Sequence, residues 1–284
     1  MAIQLNGKAH DIGGLSVNRV LPQRAKRMVG PFIFFDQMGP GKFSIGDGID
    51  VRPHPHIGLA TLTYLFEGNL LHRDSLGNQL EIHPGDVNWM VAGRGIVHSE
   101  RESFETKAQP HAIHGLQCWV VLPEENAEVE PSFSHINRFD LPTRQLEGVM
   151  ARVIIGSAYG LHSPVPTFSP MFYVDVMAKA GGHIERPDQT QEVGVYVIYG
   201  EVVVSNNSYC AGSFVLLEDD DAQLHFNENS RVVLLGGEAF KKVPYIDWNF
   251  VSFSKSRIEQ AKQDWREGRF DMIPGDKLEH IPLP

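Results

Sequence analysis

Arg52-Pro53-His54-Pro55-His56-Ile57-Gly58 is the stretch on which the reading of this chain turns. In an extended strand, residues i and i+2 point to the same face, roughly 6.5–7 Å apart along the chain. His54 and His56 therefore present two imidazoles to one point, close enough to share a metal ion. Pro53 and Pro55 donate no ladder hydrogen bond, so this strand is expected at a sheet edge or a bulge. A second i, i+2 pair follows in Gly95-Ile96-Val97-His98-Ser99-Glu100. If the two stretches are neighbouring strands, three imidazoles and one carboxylate converge.

Around this pair the chain is cut into short apolar runs by 27 Gly and 18 Pro. Leu15–Leu21, Phe32–Phe35, Ala60–Phe66, Val87–Val91 and Leu116–Leu122 read as strands in the first half. Met171–Ala178, Val193–Tyr199, Val202–Ser205, Ser213–Leu217 and Arg231–Leu235 read as strands in the second. Such spacing predicts an all-β sandwich or barrel. Helical periodicity enters only near the end, where Ile258, Ala261 and Trp265 share one face. Ser256 with Glu259 forms a capping-box pattern and Gly268 a C-terminal stop, so a helix is predicted from Ser256 to about Glu267, with Trp265 on the β core.

A weak repeat links the halves. Thr63-Tyr64-Leu65-Phe66-Glu67-Gly68 resembles Val195-Tyr196-Val197-Ile198-Tyr199-Gly200, and Gly85 precedes His98 by the interval that separates Gly212 from His225. Two β domains of similar build follow, joined by a polar, acidic stretch with Glu124, Glu125, Glu128 and Glu130. The expected boundaries are 1–123 for a metal-binding domain, 124–144 for a linker and 145–284 for a second domain that ends in the helix. The same offset puts Arg186 and Asp188 where His54 and His56 stand, and Asn227 where Glu100 stands; only His225 is kept. A second metal site is not expected.

Composition narrows the function. The 284 residues are 42% hydrophobic and 21% charged, as in ordinary globular proteins. The formal charge of −10 argues against direct nucleic-acid binding, which rests on neutralising phosphates, and against anionic membranes. Cys118 and Cys210 lack Cys-x-x-Cys spacing, so neither a disulfide framework nor a thiolate zinc site is indicated. No apolar run approaches the ~20 residues of a membrane span, and the N-terminus lacks a signal-peptide core. A cytoplasmic location is the expectation.

Several stretches together resemble the pirin family of the cupin superfamily. They are Pro31-Phe32-Ile33-Phe34-Phe35-Asp36-Gln37-Met38-Gly39-Pro40, His54-Pro55-His56, Thr63 to Gly68, His72-Arg73-Asp74-Ser75-Leu76-Gly77, the run from Pro84 to Glu100, His114-Gly115-Leu116-Gln117 and Pro274-Gly275-Asp276. The resemblance is dense from about Pro31 to Pro123 and looser beyond. It implies a bicupin: two facing antiparallel β-barrel domains, metal only in the first, and a short C-terminal helix. It also implies iron held by three His and one Glu, which carry over to His54, His56, His98 and Glu100. One departure is that Ala60 stands where the wider cupin pattern has a metal-binding Glu; Glu100 would replace that carboxylate.

Imidazole suits Fe, Zn, Cu and Ni, and the carboxylate adds a harder oxygen. Affinity alone does not select iron, so Mn, Ni, Co, Cu and Zn remain open; structural zinc would ordinarily be closed and four-coordinate. The resemblance implies a quercetin 2,3-dioxygenase activity, with a small aromatic substrate and O2 as partners; a base is needed to take the substrate proton, and Glu100 is the candidate for both ligand and catalytic base. Phe34, Trp89 and Met90 are candidate pocket walls, and His72 and His114 candidate neighbours of the ligands. Two other readings are a regulatory protein whose iron state switches a surface toward a protein partner, and a cupin isomerase with no use for O2.

Overall fold

The computed structural model describes residues 2–12 and 14–284. The chain divides into two compact units, each built as a pair of antiparallel sheets, so the all-β bicupin class holds. The first comprises Ala9–Arg19, Phe34–Arg138 and Lys241–Pro284; the second comprises residues up to Lys8, Val20–Ile33 and Phe139–Phe240. The units therefore do not follow the expected boundaries. The N-terminal strand Ile3–Leu5 pairs with Phe214–Leu217 and covers an edge of the second unit's large sheet. The C-terminal 44 residues, Lys241 to Pro284, belong to the first unit.

In the first unit, the strand Leu59–Glu67 lies between Val87–Val91 and His111–Val121 in the large sheet. The small sheet runs in the order Asp50–His56, Ile96–Arg101, Leu70–Asp74, Gln79–Ile82. The strand carrying His54 and His56 is thus an edge strand, as its prolines predict. The stretch read as a linker is also structural. Glu124–Asn126 is a 3-10 turn, and Ser132–Ile136 pairs with Val87–Val91 at the large sheet's edge. Its acids meet cations: Glu124 with Lys242 at 2.8 Å, Glu128 with Arg257 at 3.0 Å, Glu130 with Arg94 at 2.7 Å.

The second unit repeats the plan. Glu192–Tyr199, Ser230–Gly237, Met171–Ala178 and Val149–Ala158 form the heart of its large sheet; His183–Glu185, Gln223–His225, Glu201–Val204 and Asn207–Cys210 form the small one. Val153, Phe172, Val174, Val195, Leu224, Phe226 and Leu234 pack in one buried cluster between the sheets. Gly30 adopts φ +52°, and a Cβ there would meet the Gly237 nitrogen at 2.5 Å, so the close approach requires glycine.

The helix spans Lys255–Arg266, and its N-cap is Ser254, whose hydroxyl accepts from the Arg257 amide, rather than Ser256. Gly268 at φ +66° follows its C-terminus, as the stop signal predicts. Ile258, Ala261 and Trp265 are buried, but against Ile57, Val97, Phe250 and Ile273, all in the first unit. Ile57 and Val97 leave an apolar surface on the side of the small sheet away from the histidines, and the helix covers it. None of the helices of the described residues is long and apolar enough to cross a membrane.

Candidate metal centre

The small sheet of the first unit assembles the site. His98 lies directly opposite His54, and Ile96 opposite His56, so the three imidazoles share one face. Ring centroids are 5.0 Å apart for His54 and His56, 4.4 Å for His54 and His98, and 5.0 Å for His56 and His98. One nitrogen from each falls within 4.8 Å of the others. Between His98 and Glu100 the register shifts, so that Glu100 faces Val51. The extra residue belongs to the Arg52-Pro53 stretch, where proline's missing N–H is harmless.

The hydrogen bonds fix how these rings can act. His54 Nδ1 donates to the Arg52 carbonyl at 2.9 Å, and His56 Nδ1 donates to the Asn249 carbonyl at 3.1 Å. A carbonyl only accepts, so each Nδ1 carries the proton and each Nε2 lone pair is free. His98 is buried with neither ring nitrogen bonded to a protein partner. Such an orphan is costly inside a fold unless a ligand meets it. Burial, with the Arg52 bond opposing it and the His72 charge adding to it, lowers His54 to a pKa of about 4. Burial likewise holds His56 and His98 well below the ordinary imidazole value, with neighbouring histidines adding to it. At neutral pH all three rings are uncharged, the state a metal requires. The residues present fit a divalent cation.

Glu100 stands slightly apart. It is not in the set within 4.8 Å; its Oε1 accepts from the Thr63 hydroxyl at 3.0 Å. Thr63 Oγ1 is also 2.8 Å from the Gln117 side-chain oxygen position. One hydroxyl proton cannot serve two acceptors. The network closes if Gln117 turns its amide nitrogen to Thr63 and Thr63 donates to Glu100. Burial pushes the Glu100 carboxyl above its usual range, while His72 and the Thr63 bond pull it back.

His72 lies opposite Glu100 on the neighbouring strand. Its Nε2 is 3.0 Å from the fully buried Asp74, and its ring stacks on Phe133 at 4.3 Å and sits 5.5 Å from His98. His114 instead pairs with Gln37 at 2.9 Å, away from the trio. Of the anticipated walls, Phe34 stacks on Trp119 at 4.0 Å, and Trp119 meets His56 edge-on at 5.0 Å. Met90 pairs across the sheet with Thr61, as Trp119 does, so it shares their face. Trp89 pairs with Leu62, and strand alternation puts it on the opposite face. The roles of Trp119, Thr63 and Asn249 escaped the sequence reading; Thr63 entered only within a repeat and a family-like stretch, and a backbone carbonyl leaves no sequence mark.

The Pirin family model matches residues 14–120, and the model for the Pirin C-terminal cupin domain matches residues 173–271. The chain belongs to the pirin family. A pirin-like protein of Caulobacter vibrioides is 45% identical over 98% of both chains. The crystal structure of a quercetin 2,3-dioxygenase from Acinetobacter baumannii superposes with a TM-score of 0.92 and 32% identity, covering 100% of this chain and 95% of that one. A bacterial pirin from Escherichia coli, solved in complex with nickel(II), shares the fold at a TM-score of 0.68 and 20% identity over 84% of this chain and 100% of its own. The pirin expectation therefore holds for family and fold.

Proposed function

We propose that this pirin is a mononuclear metal-dependent dioxygenase that opens a flavonol-type aromatic substrate such as quercetin, with His54, His56, His98 and Glu100 holding iron. The observation that carries the reading is the buried His98 imidazole, uncharged and without a protein partner on either nitrogen, beside two rings whose Nε2 lone pairs are free. Bound there, a redox-active divalent ion would supply Lewis acidity toward a phenolic oxygen and a route for electrons to O2.

The chain's own groups do the rest. Glu100, with its proton affinity raised by burial, accepts the proton of the substrate hydroxyl. Thr63 orients that carboxylate through its 3.0 Å bond. Trp119, stacked on Phe34, offers a flat apolar wall beside His56 for an aromatic ring. Arg19 lies over the other ring of this stack, 4.4 Å from the Phe34 centroid, fixed by two bonds to Asp36 at 2.9 and 2.8 Å.

The test is metal analysis of the purified protein followed by O2 uptake with quercetin. Iron-loaded protein should consume O2, and His98→Ala should lose both metal and uptake. Glu100→Gln should keep a His-bound ion and lose most of the turnover. Unchanged O2 uptake in His98→Ala would sink the proposal.

A further inference from the structure

We infer that the C-terminal segment is a positioning element of the metal centre, so that metal binding and docking of this segment are linked. The inference rests on the metal reading above and concerns what holds the ligands. The strands Tyr245–Asp247 and Phe250–Ser252 form a hairpin whose two-residue tip is Trp248-Asn249. The tip delivers the Asn249 carbonyl to His56 Nδ1 at 3.1 Å. That bond sets the His56 tautomer and aims Nε2 at the other two rings.

The tip is not a relaxed turn. Trp248 adopts φ +53°, a region where a bulky side chain is an outlier and where a tight hairpin ordinarily has Asn or Gly. Its ring is held edge-on to Phe250 at 5.4 Å and lies 6.4 Å from Trp265 of the helix. A strained conformation persists only where its surroundings over-determine it. Here the helix and the hairpin do so, and the product is one carbonyl at one metal ligand.

The segment grips the metal-bearing strands at further points, each beside a ligand. Val251 N donates to the Ile57 carbonyl at 3.2 Å, next to His56. Gly58 has φ +68°, and a Cβ there would meet the Val251 oxygen at 2.0 Å, so only glycine admits this approach. Ile281 N donates to the Pro53 carbonyl at 2.9 Å, next to His54. Asp276 accepts from Ser99 at 3.0 Å and from Arg101 at 3.1 Å, on both sides of Glu100. The sheet holding the ligands is thus clamped from outside by residues about two hundred positions away in sequence.

By linkage, whatever docking of this segment adds to metal affinity, the metal returns to docking. The experiment compares hydrogen exchange of metal-free and Ni2+-loaded protein, with bound nickel counted by elemental analysis. Peptides covering 245–254 and 274–282 should exchange about tenfold more slowly with Ni2+, while 171–178 in the second unit should not change. Gly58→Ala, and separately a glycine inserted between Trp248 and Asn249, should weaken Ni2+ binding about 10–100-fold with 171–178 still protected. Stoichiometric Ni2+ with unchanged exchange in 245–254 would overturn the inference. Failure to retain Ni2+ at all would instead overturn the metal reading, and the linkage with it.

Discussion

Acidifying the metal-free protein below pH 6.5 should weaken its fold, and the three histidines should be the reason. His54 falls from the usual 6.5 to about 4 because burial penalises its charged form. At about 1.4 kcal/mol per pH unit, this ring alone is worth about 3 kcal/mol between its folded and unfolded states. A depressed value means the unfolded chain binds more protons, so stability is intact above pH 6.5 and is lost as pH falls toward 4. His56 and His98 shift the same way for the same cause. His111 works in the opposite sense: burial lowers it, but bonds to the Gln109 carbonyl and to Glu102 raise it on balance. Comparison of variants separates these. The assay is the urea midpoint of apo-protein at several pH values from about 7.5 to about 5, with the slope m held constant. His54→Gln should remove up to about 1.4 kcal/mol per pH unit of acid sensitivity in that window. Equal pH slopes in His54→Gln and the parent protein would refute the argument that the ring is buried and uncharged.

Two further outcomes follow from the same geometry. His183→Ala and His225→Ala should leave metal content unchanged, measured as bound metal per chain after dialysis, because both side chains are exposed on the second unit. Trp265→Ala should cost the first unit about 3–5 kcal/mol in urea unfolding, since the ring is buried against the clamped sheet and its Nε1 donates to the Ile281 carbonyl at 3.0 Å.

Much of this molecule was legible in the chain. Leu15–Leu21, Val87–Val91 and Met171–Ala178 form strands with the bounds read from the sequence, because Gly and Pro punctuate apolar runs too short for helices. The His54-Pro-His56 stretch gave both the shared face and the edge position. The helix face was right, but the cap slipped from Ser256 to Ser254, since two serines a pair apart offer the same local chemistry. What the sequence could not carry was long-range. Nothing local in 241–284 says that it packs on the first unit rather than the second. Nor does a local pattern reveal that the chain between Glu124 and Ile136 continues a sheet instead of linking domains.

The two barrels differ in what their small sheets present on each face. His183 pairs with His225 across strands, as His54 pairs with His98. Arg186 gives its guanidinium to the carbonyls of Asp188, Glu218 and Gln191. Yet the His183 and His225 rings point to solvent, 5.9 Å apart, while Ile184, Leu224 and Phe226 fill the interior. A strand's side chains alternate between its two faces. In the second unit the small sheet keeps the ordinary arrangement, apolar inside and polar outside. In the first the inward set is mixed, with His54, His56, His98 and Glu100 beside Ile96, Leu70 and Ile82, while Ile57 and Val97 face outward. Ile57 and Val97 make part of the outer face apolar, which is costly in water. The C-terminal hairpin and helix remove that cost by burying Ile57 and Val97 under Phe250, Ile258 and Trp265. The cover that buries this outer face also places the Asn249 carbonyl on His56.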